Sequence, residues 1–178
     1  MISAIEARRS CRKFDTTKKI DHDTLKLIVD MALSSPTGVD AQSNDLYVVT
    51  KEEVNDRFAQ CVVDNIPPEM KEKMGNVGPE RIFYKAPAVI YIVPARKERV
   101  DCAPYDLGII CQNICLAAKC KGIDSVIIGF AQNAPAAEAK EILGLPNETT
   151  VLAVALGYAA EDWEPQPKEL KAKVQWIE

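Results

Sequence analysis

Short runs of consecutive apolar residues recur along the chain and predict buried β-strands at 46–50, 88–93, 125–129 and 149–156. The run 88–93 is the clearest, because all of its residues are apolar and Pro94 follows at once. Between these runs, apolar residues return at the spacing of an amphipathic helix. That spacing predicts helices over 4–9, 51–60, 104–121 and 136–143, and one more that begins at Asp21 or Asp23 and ends before Pro36.

Three of these helices carry further signals. Ser3-x-x-Glu6 has the form of a capping box at the start of the first helix. The helix 104–121 is apolar nearly all round, which predicts burial in a core or at a subunit interface, and Gly122 is placed to end it. The second helix has one apolar face, made by Leu25, Ile28, Val29, Ala32 and Leu33.

Two segments lack a clear period. In 61–81, prolines and glycines break any long element, which predicts a short helix flanked by loops. The tail, about 162–178, is extended by prolines around Trp163 and then becomes apolar at 174–177. An apolar tail needs a partner surface, and we expect it to dock on another subunit.

Length and composition describe one ordinary soluble domain spanning 1–178. The chain has 178 residues, 47% of them hydrophobic and 27% charged. No apolar run approaches the roughly 20 residues of a membrane span, and the N-terminus lacks the apolar core of a signal peptide. We therefore expect a cytoplasmic protein with no membrane partner.

The cysteines and the lone histidine argue against several kinds of chemistry. Six cysteines fit free thiols, and Cys111 and Cys115, one helical turn apart, are spaced as buried hydrophobes rather than as ligands of a metal. His22 lies among charged residues and is expected at the surface. Its isolation disfavours hydrolases that need a Ser/His or Cys/His pair, so a cofactor is expected to carry the chemistry.

A basic segment near the N-terminus, Arg8 to Asp15, has four cations and a serine within six residues, in a chain of net charge -4. Arginine forks bind phosphate oxygens bidentately, and Ser10 can add a neutral donor. The segment is too short for a nucleic-acid surface and suits a single phosphate group. A solvated basic turn is the alternative that the pattern alone leaves open.

A second polar stretch, 34–42, follows the second helix and is rich in turn formers. Together, Arg-x-Ser-x-Arg near the start and Ser-Pro-Thr-Gly-x-Asp-x-Gln about two dozen residues later resemble the nitroreductase family. The similarity continues through 105–129 and ends at Leu156-Gly157-Tyr158. The resemblance implies an α+β fold, a three-layer α/β/α sandwich around a central mixed or antiparallel sheet. It also implies a homodimer that exchanges the C-terminal tail.

The resemblance further implies bound FMN, and it assigns three groups of residues to that cofactor. The phosphate would be bound by Arg8, Ser10 and Arg12, with Arg9 between them, and the basic residue near the C-terminus would be Lys168. The flavin ring of the other subunit would meet Pro36, Thr37 and Gly38, supported by Gln42. Backbone groups of Ile127, Ile128 and Gly129 would lie near the reactive N5, where glycine allows close approach.

Two departures from the family pattern bear on activity rather than on flavin binding. The usual asparagine two residues after the glycine is Asp40, and the usual Pro-Trp after the glutamine is Ser43-Asn44. An ionised aspartate near the ring accepts hydrogen bonds but donates none, and its charge disfavours an anionic reduced flavin.

The function implied is an FMN-dependent NAD(P)H oxidoreductase with a ping-pong mechanism. NADH or NADPH would bind transiently and give hydride to flavin N5, and a small electron acceptor, such as a nitroaromatic or a quinone, would then receive it. No side chain acts as a nucleophile in this scheme, and no Rossmann glycine motif is present. Two alternatives remain: a flavin-binding or regulatory protein of the same fold, and a protein that binds phosphate esters without flavin.

Overall fold

A computed structural model describes residues 2–75, 77–94 and 103–178. The helices are α1 (Ile2–Ala7), α2 (His22–Leu33), α3 (Glu52–Asp64), α4 (Pro68–Met74), α5 (Glu80–Phe83), α6 (Ala103–Cys120) and α7 (Ala136–Leu143). The strands are β1 (Asn44–Val49), β2 (Ala88–Pro94), β3 (Asp124–Ile128) and β4 (Leu152–Gly157). Two short 3-10 turns lie at Gly38–Asp40 and Gly129–Asn133.

The strands form one antiparallel sheet in the order β1-β2-β4-β3. Strand β2 lies inside the sheet and is buried on both faces, which explains why its sequence is apolar without alternation. Val89, Tyr91 and Val93 face one layer of helices, and Ile90 and Ile92 face the other.

Helices cover both faces of the sheet. On one face, α3, α5 and α7 enclose a core that contains Phe58, Phe83 and Tyr91. On the other, α2 and α6 pack together over Ile90 and Leu156. The arrangement is α+β with three layers, as expected. A mixed or an antiparallel sheet was predicted, and the sheet is antiparallel.

Most elements lie close to their predicted places because their signals are local. Asp21 is the N-cap of α2, and its carboxylate accepts a hydrogen bond from the Thr24 backbone N–H at 2.8 Å. Gly122 follows α6 with φ +74, as a C′ glycine should. Helix α4 is the short helix expected within 61–81, and His22 is exposed.

Three expectations at the edges of elements were wrong. Helix α1 begins at Ile2, so Ser3 lies inside it and no capping box forms there. Strand β1 lies at the edge of the sheet, and for that reason its residues are only partly buried. Leu33 is exposed, because the end of α2 extends beyond the core face.

The tail from Glu164 onward has no helix or strand and is exposed, including the apolar residues Leu170, Val174, Trp176 and Ile177. Among the described residues, no helix is long and apolar enough to cross a membrane. Nor do they contain a cluster of histidine, cysteine and carboxylate side chains suited to a metal ion.

A buried hydrogen bond ties β2 to α3. The Tyr91 hydroxyl donates to Asn55 Oδ1 at 2.9 Å, and Asn55 Nδ2 donates to the Val49 carbonyl at 3.2 Å. We expect Tyr91→Phe to lower the free energy of unfolding by about 1–3 kcal/mol, because a buried acceptor loses its donor. The matched change Tyr105→Phe, at an exposed site, should cost less than about 0.5 kcal/mol. Equal urea midpoints for the two variants would contradict this assignment.

Candidate functional site

The basic segment is held against the sheet at both ends. The Cys11 N–H donates to the Ser125 carbonyl at 3.0 Å, so the segment starts alongside β3. Beyond it, the Asp15 N–H donates to the Tyr158 carbonyl at 2.8 Å, and the Ala160 N–H donates to the Lys13 carbonyl at 3.0 Å. The side chains between these anchors are therefore presented from a fixed backbone.

Phe14 fixes the segment further by packing over the end of β4. A Cβ at Gly157 would lie 2.8 Å from Phe14 Cδ1 and 2.7 Å from Pro87 Cδ. Only glycine leaves room for this crossing. Cys11, within the segment, is buried, and burial raises the pKa of its thiol. The thiol is therefore neutral and does not offset the positive charge of the segment.

The segment and the first part of the tail enclose a cavity of 680 Å³, here called the basic cavity. Arg8, Ser10 and Arg12 line one side of it, and Lys168 lines the other. Arg9 also lines it, so the structure brings together all five residues that the sequence assigned to a phosphate site.

The cations around the basic cavity differ in how far they are already engaged. Arg9 Nη1 donates to the carbonyls of Glu6 and Arg8, both at 2.7 Å, and Arg9 Nε donates to the Gln166 carbonyl at 3.1 Å. Lys13 forms an ion pair with Asp162. Within the described part of the chain, no carboxylate pairs with Arg8 or Arg12. Arg12 Nη1 makes one long bond, to the Ser10 carbonyl at 3.4 Å, so both guanidinium groups remain available to an anionic ligand. Arg9 instead binds carbonyls at the end of α1 and in the tail.

A second cavity, of 510 Å³, lies at the end of β3 and is here called the strand-end cavity. Ile127, Ile128 and Gly129 contribute to its wall, and Met70 and Tyr84 face it from the segment around α4 and α5. Ile127 is 42% exposed, and a Cβ at Gly129 would have no protein atom within 4 Å. The space beside this backbone is open to a ligand.

Arg12 belongs to the walls of both cavities. A single elongated ligand with an anionic end could therefore be anchored in the basic cavity and extend to the end of β3.

The loop 36–42, here called the Gly38 loop, is closed by its own side chains. The Gln42 N–H donates to Thr37 Oγ1 at 3.0 Å, and Gln42 Nε2 donates to Asp40 Oδ1 at 2.9 Å. The loop is attached to the body of the protein through α6, where Asp106 Oδ1 accepts from the Gly38 N–H at 3.1 Å. It lines neither of the two cavities above, so one chain does not place it beside the basic segment.

Comparison with known proteins identifies the family of this chain. The family model for the nitroreductase family matches residues 5–158. The chain belongs to the nitroreductase family. The family predicted from the sequence is therefore confirmed.

Individual nitroreductase relatives resemble nearly the whole chain. A curated NADPH-flavin oxidoreductase from Vibrio harveyi is 29% identical over 173 residues, which cover 94% of this chain and 69% of that protein. A nitroreductase with bound FMN from Desulfitobacterium hafniense has a TM-score of 0.82 at 26% identity, covering 99% of this chain and 97% of that one. A second nitroreductase with bound FMN, from Bacteroides fragilis, has a TM-score of 0.81 at 25% identity, covering 99% of this chain and 98% of that one.

Two features near the Gly38 loop were not found by sequence reasoning. Asp106 of α6 binds the loop at Gly38, and Asn113 binds Ser35 just before it. The only local signal was that these two polar residues lie in a mostly apolar helix. Ser43 and Asn44, where the family usually has Pro-Trp, are buried, and their side-chain polar atoms have no hydrogen-bond partner within the described structure.

Proposed function

We propose that this protein is an FMN-dependent NAD(P)H oxidoreductase that passes hydride to a small electron acceptor by a ping-pong mechanism. Membership of the nitroreductase family and the flavin-dependent relatives support the cofactor and the reaction class. The observation that carries the proposal is the position of Arg12 in the walls of both the basic cavity and the strand-end cavity.

The residues around the basic cavity fit the phosphate of FMN. Arg8 and Arg12 supply guanidinium groups that no carboxylate of the described structure pairs with, Ser10 supplies a hydroxyl donor, and Lys168 adds a charge from the tail. Arg9 keeps its place at this site, but three of its five N–H donors already bind backbone carbonyls, which leaves only Nη2 for the phosphate.

The strand-end cavity fits the ring. Its wall combines apolar side chains with the backbone of Ile127, Ile128 and Gly129, and Gly129 leaves open space beside it. Bound there, FMN would supply a two-electron acceptor that takes hydride at N5 from NADH or NADPH and returns it to the second substrate. The protein then has to orient the reactants and exclude water, which requires no side-chain nucleophile.

The complete site is proposed to need a second subunit. Pro36, Thr37, Gly38, Asp40 and Gln42 are assigned to the flavin ring, yet in one chain the Gly38 loop lines neither cavity. A homodimer would bring the loop to the site. In it, the Gly38 loop of each single-domain chain, 1–178, would contact the flavin bound to the partner. The exposed apolar tail from about 162 to 178 is proposed to dock on that partner.

The visible spectrum of the purified protein tests the proposal directly. Flavin absorption that heat releases, with FMN identified by chromatography, is the expected result. A protein that stays colourless after incubation with FMN would instead support a site for other phosphate esters.

A flavin-binding protein without turnover is the second candidate. It is favoured by Asp40, which already holds the Gln42 amide, and by the buried, unpartnered Ser43 and Asn44. Steady-state oxidation of NADH or NADPH with a quinone or a nitroaromatic acceptor separates the two candidates.

Asp40 also gives a prediction about the flavin potential. We expect Asp40→Asn to raise the midpoint potential by tens of millivolts, roughly, because a negative charge beside the reduced anion is removed. Asparagine can still accept the bond from Gln42 Nε2, so the loop should keep its shape. The matched control is Asp45→Asn, on the exposed side of β1. An equal potential in both variants, measured by dye equilibration, would place the Asp40 charge away from the ring.

A further inference from the structure

Helix α6 holds the Gly38 loop at two points on one of its faces. The Asp106 carboxylate accepts the Gly38 N–H at 3.1 Å, and Asn113 Nδ2 donates to Ser35 Oγ at 2.8 Å. Asp106 and Asn113 are seven residues apart, which is about two helical turns and places both on the same side of the helix. One side of α6 therefore binds Gly38 within the loop and Ser35 immediately before it.

Asp106 is an unusual residue to find at this position. It is only 3% exposed, and a buried carboxylate is costly unless donors surround it. It lies in the first turn of α6, where the helix dipole favours a negative charge. Ser35 is buried as well, so each contact has one buried partner.

The loop needs such external support because its backbone is strained. Val39, Asp40 and Gln42 have φ values of 51, 55 and 46, in the left-handed region that favours glycine. Val39 is β-branched and 73% exposed, so burial of its side chain does not explain the conformation. Strained backbone persists only where its surroundings hold it, and α6 supplies the contacts from outside the loop.

We propose that Asp106, assisted by Asn113, is a positioning residue of the flavin site: it holds the Gly38 loop in the strained shape that meets the flavin ring. This inference rests on the proposed function, because it assumes that the loop contacts bound flavin. Asp106 touches the loop backbone and acts on the ring only through it.

The proposal predicts a specific pattern of flavin affinities. Asp106→Ala should weaken binding of FMN by roughly 10- to 100-fold, the equivalent of losing one hydrogen bond to a buried charge. The same change should weaken the binding of riboflavin by the same factor. Riboflavin has the flavin ring but lacks the phosphate, and the loop is proposed to contact the ring. Asp106→Asn retains an acceptor of the same shape and should restore most of the affinity. The visible circular dichroism of the bound flavin should change in Asp106→Ala and return in Asp106→Asn.

A second buried carboxylate provides the control. Asp124 lies beyond the other end of α6, where it accepts from Lys119 Nζ at 2.7 Å. Asp124→Ala should lower the free energy of unfolding, but it should not weaken the binding of FMN and riboflavin by the same factor. Should Asp106→Ala fail to fold, Asn113→Ala loses the contact with Ser35 and should weaken FMN and riboflavin equally.

The outcomes separate this inference from the proposed function. Wild-type protein that binds neither flavin overturns both. The wild type binding FMN would support the proposed function. If Asp106→Ala and Asn113→Ala then leave the flavin affinities and the circular dichroism unaltered, the positioning role alone is overturned. A loss confined to FMN would likewise overturn it, because the effect would then lie at the phosphate.

Discussion

Replacing Arg8 and Arg12 together by alanine is expected to release FMN from a protein that remains folded. Each guanidinium group offers charge-assisted hydrogen bonds worth about 1.5–3 kcal/mol, so losing both should weaken FMN by roughly 10²- to 10⁴-fold. Neither side chain pairs with a carboxylate in the described structure, and neither supports the core, so the unfolding midpoint should change little. Equilibrium dialysis of apoprotein with FMN measures the effect.

The control for that prediction removes the same charge elsewhere. Arg57 and Arg81 are exposed arginines outside the basic cavity, so Arg57→Ala with Arg81→Ala should leave FMN affinity within a few-fold of wild type. Riboflavin gives the second comparison, because its binding should be nearly unaffected by the Arg8 and Arg12 changes. Full FMN occupancy in the Arg8/Arg12 variant would show that the phosphate binds elsewhere.

The flavin-loaded protein is expected to sediment as a homodimer and to lose its flavin when diluted into monomers. Two surfaces of one chain remain unsatisfied. Ile2 and Ile5 on α1 are exposed, and so is the apolar end of the tail, where Trp176 is 85% exposed. A two-fold dimer buries the same patches on both subunits. It would also bring the Gly38 loop of one chain to the cavities of the other.

Sedimentation across a dilution series, followed at the flavin absorbance, measures this directly. Subunit dissociation and flavin release should occur over the same concentration range, because each flavin is expected to contact both chains. Trp176→Ala should shift that range to higher protein concentration, since the tail is expected to dock through this residue. A monomer that keeps its flavin would contradict the shared site.

The parts of the fold that could be predicted are those whose causes are local. Strand β2 is apolar throughout because helices cover both of its faces, and Asp21 caps α2 through a bond to a residue three positions away. The partial burial of β1 depends on its place at the edge of the sheet, which its own sequence does not contain. The start of α1 was missed because the capping motif suits a start at Ala4, two residues further on than the one observed.

The same distinction applies to the candidate site. Arg8, Ser10 and Arg12 were recognised because they are adjacent in sequence, and the structure places them around one cavity. Arg9 has the same chemistry, but its engagement with the Gln166 carbonyl joins residues 157 positions apart. Asp106 was overlooked because its partner, Gly38, lies 68 residues away. Contacts of this range become visible only when the chain is folded.

The bond from Arg9 to the Gln166 carbonyl makes the tail one wall of the basic cavity, together with Lys168. Filling the cavity and docking the tail are therefore linked equilibria, and each must strengthen the other by the same factor. Protein that lacks cofactor should therefore hold the tail more loosely, and limited proteolysis should cut the tail sooner than in the FMN-loaded protein.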